Sequence, residues 1–207
     1  MKSGLAKHAL SVAVFVIAFV AVKYGMHAYR EHQSVAKVEQ SLSQLQVDAT
    51  QKHPDVPVSV AVQQEATERA SKKMAAEPDD QKRANTAADM FWGFYFINVR
   101  ERPEFCRVQG ADIQLFVKAF ERIHTNEFAK AKSLYVRSSA DENKLYALLK
   151  PQLHKMILQD MNDVAATNKI SLKAACTLLA ENADALVKEM HFSKVQPAVY
   201  QALSSTK

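Results

Sequence analysis

The sequence contains little glycine and proline, the two residues that most often interrupt helices. Its 207 residues include four Gly and six Pro, with a hydrophobic content of 48% and a charged content of 24%. This scarcity of helix breakers, together with abundant Ala, Leu, Lys, Glu and Gln, favours helices. The length suits one ordinary domain with additional segments. The composition therefore predicts an all-α protein with a single core.

The chain also lacks the short motifs of common enzymes and metalloproteins. It contains no Gly-x-Ser-x-Gly, no phosphate-binding glycine-rich loop and no dinucleotide fingerprint. Its seven His occur singly, without His-Glu-x-x-His or zinc-ligand spacing. Met156 and Met190 each lie near a His, but both fall on apolar stripes, which favours core packing over copper binding. We therefore predict no metal, no cofactor and no catalytic residue.

One group of titratable residues, Glu121, His124 and Glu127, falls within two turns of predicted helix. Side chains of these types can support acid–base chemistry when they share a site. Charged residues beside a loop are commonplace, however, so the sequence assigns this group no role.

Charge of one sign is not concentrated anywhere in the sequence. The formal net charge is +5, but the 27 Lys and Arg are interleaved with 22 Asp and Glu. A nucleic-acid-binding protein concentrates its basic residues in a run or on one face. We therefore predict that the chain does not bind nucleic acid.

The N-terminus carries the most apolar segment of the chain. Residues 9–22 contain no charge, and the segment continues to Tyr29. A helix of this length, at about 1.5 Å per residue, reaches the roughly 30 Å of a membrane's hydrocarbon core. A cleavable signal peptide is the alternative, because Lys2 and Lys7 supply a basic start, but cleavage sites ending at Ala21 or Ala28 place Phe19 or Met26 where a small residue belongs. We predict an uncleaved transmembrane anchor over residues 1–30.

The orientation of this anchor is not set by the flanking charges, which are almost balanced. The short N-terminal tail favours a cytoplasmic N-terminus and export of the remaining chain. We therefore predict a single-pass protein of the bacterial inner membrane whose C-terminal domain lies in the periplasm.

Residues 31–82 are predicted to form a stalk and linker. Val35, Val38, Leu42 and Leu45 follow a 3-4-3 spacing, which places four apolar side chains on one seam of a helix. This seam predicts either a homodimer through a short parallel coiled coil over residues 35–45 or a single amphipathic helix, because two heptads are fewer than such an assignment needs.

A Val-rich segment follows this seam. Pro54 and Pro57 interrupt the helical pattern, and valines alternate from residue 56 to residue 62. Alternation is typical of a strand, which in this chain has no partner strand and could join the sheet edge of another protein. We favour the simpler interpretation of an extended linker. Further along, the Pro-Asp-Asp sequence of residues 78–80 supplies a break and an N-cap for the next helix.

Residues 83–207 are predicted to form a bundle of five to six helices. A first helix ends near Arg102, where Pro103 stops it. Asp112 and Ser171 are the predicted N-caps of later helices, and Pro151 is predicted to kink the longest one. Wide apolar stripes with short connections predict antiparallel packing around one core.

Cys106 and Cys176 are the only cysteines of the chain. In an oxidising compartment, a disulfide closing a loop of about 70 residues contributes roughly 4 kcal/mol on the chain-entropy model. The alternative is a reactive thiol at Cys106, because Arg102 and Arg107 lie nearby in sequence and would lower its pKa. The chain has no Cys-x-x-Cys, and Cys176 falls on an apolar stripe, so we predict the structural disulfide.

An aromatic run at residues 91–96 surrounds its helix. Phe91, Trp92, Phe94 and Phe96 cannot all face one side, so either they are buried by several neighbouring helices or some of them contact a partner protein, the membrane interface or an apolar ligand. Three arginines follow this run and are the candidate residues of an adjoining anion site: Arg100, Arg102 and Arg107. Burial within the domain and a solvated helix end are the alternatives that we favour. The candidate partner- or ligand-binding residues are Phe91, Trp92, Phe94, Phe96, Arg100 and Arg102.

The sequence therefore favours a non-enzymatic, membrane-anchored accessory or scaffold protein of a bacterial cell envelope, which binds a partner protein through its helical domain. Two alternatives remain. One is an envelope redox protein or other enzyme that uses Cys106, and the other is a module that binds an apolar ligand or lipid beside the aromatic run.

Overall fold

The computed structural model of the protein describes residues 31–138 and 141–205. Within these ranges the regular elements are helical and no strand is present, which confirms the predicted all-α class. The predicted anchor, residues 1–30, lies outside them. The helices are α1 (Glu31–Lys52), α2 (Val58–Ala76), α3 (Asp80–Phe96), a π-helical segment (Ile97–Glu101), α4 (Arg102–Val108), α5 (Gln114–Ile123), α6 (Thr125–Ser138), α7 (Glu142–Asn168), α8 (Leu172–Glu181), α9 (Ala183–Glu189), α10 (Phe192–Val195) and α11 (Pro197–Ser204).

The bundle is organised around α3. The helix begins where the Asp79 carboxylate accepts a hydrogen bond from the Lys82 backbone N–H at 2.9 Å, as a side-chain N-cap does. Helices α6, α7 and α11 pack against it. Residues 87–96 of α3 are apolar on almost every side of the helix. A helix with this pattern is buried, and nearly all of these side chains are inaccessible to solvent.

The described part of the domain contains more helices than the five to six predicted. The apolar stripe after Ser171 is divided into α8 and α9, because the chain turns at Asn182. The Asn182 amide donates to the Leu178 carbonyl at 2.9 Å, and this hydrogen bond ends α8. The Ser171 hydroxyl accepts from the Ala174 N–H at 3.1 Å, so the predicted N-cap is confirmed.

Pro103 does not end the first helix of the domain, which corrects the prediction. The α-helical hydrogen bonds give way to a π-helical turn over Ile97–Glu101, and helical structure resumes with Pro103 in the first turn of α4. A proline has no N–H and collides with the carbonyl four residues before it in a regular helix. The wider π turn accommodates the proline without this collision. In this turn the Arg102 N–H donates to the Ile97 carbonyl, five residues earlier.

The Val-rich segment is helical from Val58 onward, so both the strand and the extended-linker predictions are wrong there. Helix α2 packs against α7 and α11 and buries Ala61 and Val62. Pro57 cannot supply a side-chain cap to its first turn. Instead, the carboxylate of Asp163 on α7 accepts a hydrogen bond from the Ser59 N–H at 2.8 Å.

Helices α1 and α2 form an antiparallel hairpin. Leu45 and Ala49 of α1 are buried against α2. Ion pairs join the two helices: Lys52 Nζ lies 2.9 Å from Glu65 Oε2, and Arg69 pairs with Asp48. Leu45, one of the four residues of the predicted coiled-coil seam, therefore packs against α2 inside the hairpin. The side chains of Val35, Val38 and Leu42 lie outside the described set, and the homodimer stays a prediction.

The membrane segment is not tested by these helices. In the described residues no helix combines the length and hydropathy that a transmembrane span requires.

Candidate functional site

The two cysteines lie at disulfide distance, as predicted. Cys106 on α4 and Cys176 on α8 place their sulfurs 2.03 Å apart, with 5.6 Å between the Cα atoms. Both side chains are completely buried. The bond ties two helices that are 70 residues apart in the sequence. A thiolate nucleophile needs access to its substrate, and Cys106 offers neither a free thiol nor an exposed one.

The aromatic candidates lie inside the core. Phe91, Phe94 and Phe96 are fully buried, and the Trp92 ring stacks on Phe96 at 5.4 Å between centroids. Phe128 meets Trp92 edge to face at 5.3 Å. The aromatic side chains on all sides of this helix are thus buried by neighbouring helices. None of these four rings has an exposed face that could contact a partner or ligand.

Arg100 lies at the domain surface between two rings. Its guanidinium carbon is 4.7 Å from the Phe96 centroid and 4.6 Å from the Tyr146 centroid. Both terminal nitrogens lie 3.3 Å from the Asn143 side-chain oxygen. These are cation–π and hydrogen-bond contacts within the protein, and they hold α7 against the π-helical segment.

Arg102 is fully buried and takes part in an ion pair. Its Nη1 lies 2.7 Å from Asp160 Oδ2 on α7, and both side chains are inaccessible to solvent. Its Nε donates to Asn98 at 3.2 Å. The predicted anion site is therefore filled by a carboxylate of the same chain, and its role is to connect the π-helical segment to α7.

Next to this ion pair, Glu101 faces α7 with its carboxylate buried. The Tyr146 hydroxyl donates to one carboxylate oxygen, and Nδ1 of the largely exposed His154 lies 3.8 Å from the other. Burial, followed by the neighbouring Glu101, raises the pKa of Tyr146 above its ordinary value. The phenol stays protonated and can serve as a donor.

A partly buried carboxylate lies on α3. Asp89 accepts a hydrogen bond from the Tyr135 hydroxyl of α6. Burial raises its pKa to about 6, although this hydrogen bond and the charge of Lys73 act in the opposite direction. Asp89 is therefore a carboxyl group that titrates near neutral pH.

The structure brings His124 and Glu127 together with His191 from the far end of the chain. The His124 and His191 rings stack with 5.1 Å between centroids and 22° between planes. His191 Nε2 lies 3.7 Å from Glu127 Oε1, while Glu127 Oε2 is buried and has no hydrogen-bond partner among the described residues. Glu121, the third predicted member, points elsewhere and accepts from the Tyr95 hydroxyl at 3.1 Å.

Hydrogen bonds define the protonation of the His124 ring. His124 Nδ1 lies 2.9 Å from the Phe120 carbonyl and must donate to it, whereas Nε2 accepts the Phe192 N–H at 3.1 Å. His124 is therefore neutral with its proton on Nδ1. Burial lowers its pKa to about 4. His191 Nδ1 accepts the Ser193 N–H at 3.3 Å and lies 2.8 Å from the Ser193 hydroxyl, and its Nε2 is directed toward Glu127.

The sequence supplied no signal for His191 in this cluster, since 67 residues separate it from His124. Only its position directly before a short helix distinguishes it, because its ring caps that helix where Ser, Thr, Asp or Asn is more usual.

No cluster of three or more potential metal ligands occurs among the side chains that the structure describes. The fold and these contacts define a class of protein: a disulfide-linked, all-α bundle with buried ionisable groups around one aromatic helix. No protein-family model matches the chain, no curated protein is similar to it, and no solved structure matches its fold.

Proposed function

We propose that the protein is an accessory or scaffold protein of a bacterial cell envelope, anchored in the inner membrane by residues 1–30 and binding a partner protein through its periplasmic helical domain. The observation that carries this proposal is the buried pairing of Cys106 with Cys176. Structural disulfides form in oxidising compartments such as the periplasm. Together with an apolar N-terminal segment of spanning length, the pairing supports export of a tethered domain.

The partner surface is not the aromatic run, because those rings are buried. Two large apolar side chains instead lie exposed on either side of the loop between α4 and α5: Val108 is 67% exposed and Leu115 is 68% exposed. Exposed apolar residues at a loop are the type of contact that a protein partner buries. We assign the partner contact to this end of the domain, near the disulfide.

Each of the two alternative functions depends on a residue that is accessible to solvent, and those residues are buried. The redox alternative needs a reactive thiol at Cys106, which is buried in the bonded pair. The lipid-binding alternative needs accessible rings at Phe91 and Trp92, which are in the core.

Site-specific photo-crosslinking in intact cells tests this proposal. A photoreactive amino acid replaces Leu115, and in the matched control it replaces Leu158, which is 42% exposed on α7. We expect the probe at position 115 to trap one envelope protein in stoichiometric amounts and the probe at 158 to trap none. The proposal is abandoned if neither probe forms a discrete adduct, or if protease added to spheroplasts leaves the domain intact.

A further inference from the structure

The C-terminal segment of residues 191–204 closes over the aromatic helix. Phe192 is fully buried, with its ring centroid 5.2 Å from that of Phe91 and 5.1 Å from that of Phe94. Helix α11 continues along α3 and buries Val199 and Leu203. This segment is therefore the cover that keeps one side of α3 away from solvent.

The segment is attached at its start by one hydrogen bond that depends on protonation. The Phe192 N–H is a first-turn donor of α10, and its acceptor is Nε2 of the fully buried His124. Protonated imidazole has two N–H donors and no acceptor. A second proton on His124 would thus place its Nε2–H against the Phe192 N–H and remove the bond.

The charged groups around His124 do not compensate for such a proton. The one electrostatic contribution resolved at His124 comes from His191, and it disfavours a second positive charge. The Glu127 carboxylate lies 3.7 Å from Nε2 of His191. In the last turn of α5, directly before His124, Arg122 pairs with Asp184 of α9 at 2.6 Å, and both side chains are largely exposed.

We propose that His124 is an acid-operated latch: its protonation releases the segment of residues 191–204 and uncovers the face of α3 that carries Phe91 and Phe94. The inference concerns a device built into the fold and does not depend on the proposed partner. In a periplasm that follows the external pH, it would expose an apolar surface only under acid conditions.

The expected change of the opening equilibrium with pH follows from proton linkage. A His124 whose pKa is about 4 when latched and about 6.5 when released favours opening by a factor of roughly 50 between pH 7 and pH 4.5. Helix α2 packs against α11, and its Thr67 accepts a hydrogen bond from Gln196 at 2.6 Å, so its protection should fall together with that of the segment. The disulfide-linked helices α4 and α8 pack mainly against α5, α7 and the π-helical segment, so their protection should change less.

Hydrogen exchange of the full-length protein in detergent tests the latch, with protection factors corrected for the intrinsic pH dependence of exchange. We expect the protection of residues 191–204 to fall roughly 50-fold from pH 7 to pH 4.5 while the interior of α3 stays protected from global unfolding. Binding of an apolar dye should rise over the same pH range. Uniform loss of protection across the domain would show ordinary acid unfolding and overturn the latch.

The matched variant is His124→Gln, whose side-chain oxygen can accept the Phe192 N–H but does not titrate. We expect it to keep the segment protected at pH 7 and to remove the pH-dependent step. His154→Gln, at a largely exposed histidine, should behave like the wild type. A pH step that persists in His124→Gln contradicts the inference. If that variant does not fold, nitrogen NMR of wild-type His124 still decides, because a neutral ring with its proton on Nε2 would exclude the latch.

Discussion

Asp89 is partly buried and His124 is fully buried, and the contributions of these two side chains to stability respond to pH in opposite directions. Burial raises the pKa of Asp89 to about 6, so its contribution is present below about pH 4 and lost as the pH rises through 6. Burial lowers the pKa of His124 to about 4, so its contribution is present above about pH 6.5 and lost as the pH falls through 4. The two effects partly cancel in the wild type over this interval.

The substitution Asp89→Asn separates the two effects. The amide oxygen of the variant side chain would still accept the Tyr135 hydroxyl, but the group would carry no charge to desolvate. We expect the free energy of unfolding of the wild type, measured relative to Asp89→Asn, to fall by about 2 to 3 kcal/mol between pH 4 and pH 7. Urea titrations at both pH values measure this. Asp184→Asn, at a carboxylate that is 74% exposed, is the control, and an equal pH effect in both variants would show that burial of Asp89 is not the cause.

Arg102 shows what the sequence could not reveal about a charged residue. Its position beside Arg100 and Arg107 resembles a basic helix end, yet the π-helical turn directs it to the interior, where Asp160 meets it. The partner is 58 residues away, and no periodicity predicts that contact. Its pairing with Asp160 follows the general rule that buried charges are paired.

Breaking this pair should be costly. We expect Arg102→Met to destabilise the domain by roughly 3 to 5 kcal/mol, because it leaves the Asp160 charge buried. Arg102→Met combined with Asp160→Leu should recover a large part of that loss. The control is Arg107→Met at an exposed pair with Glu104, which should cost below about 1 kcal/mol. A double variant that is no more stable than Arg102→Met in chemical denaturation would contradict this assignment.

Sequence patterns predicted the start of a helix correctly where the capping residue lies next to that helix in the sequence. The side-chain caps at Asp79 and Ser171 lie next to the helices that they start, and both are confirmed. Helix α2 was missed because its cap comes from Asp163, 104 residues away. Pro54 and Pro57 correctly mark a break between α1 and α2, but the alternating valines after them fit a helix that is covered on several sides.

Asp163→Ala tests the capping of α2 from a distance. We expect a loss of roughly 0.5 to 2 kcal/mol, the range for N-cap substitutions, with the loss of hydrogen-exchange protection concentrated in α1 and α2. Asp163→Asn keeps an oxygen acceptor and should restore most of the protection. Protection lost equally throughout α3 and α7 would indicate that Asp163 acts on the core as a whole and not on the start of α2.

For the whole molecule, composition and cysteine number were sufficient for the helical class and for the disulfide. The number of helices was underestimated, because turns such as the one at Asn182 lie inside continuous apolar stripes and leave no break in periodicity. The inward direction of the aromatic run also depends on which helices surround α3, and that arrangement is a tertiary property. Membrane attachment and partner binding stay proposals.

The disulfide should contribute substantially to stability. We expect the Cys106→Ser, Cys176→Ser double variant to lose about 4 kcal/mol on the chain-entropy model, since the bond closes a loop of 70 residues. Urea denaturation of the oxidised wild type and the double variant measures this. A difference below about 1 kcal/mol would show that the bond does not restrain the unfolded chain as this account requires.

If the helical domain matures in an oxidising compartment, Cys106 and Cys176 are bonded to each other in living cells, and their redox state there can be measured. Cells are quenched in acid, and the denatured protein is treated with a thiol reagent that adds mass to each free cysteine. The account predicts no modification without prior reduction and two additions after it, with Cys176→Ser showing one addition in either case. Two additions to the unreduced wild type would place the domain in a reducing compartment and contradict the proposed periplasmic location.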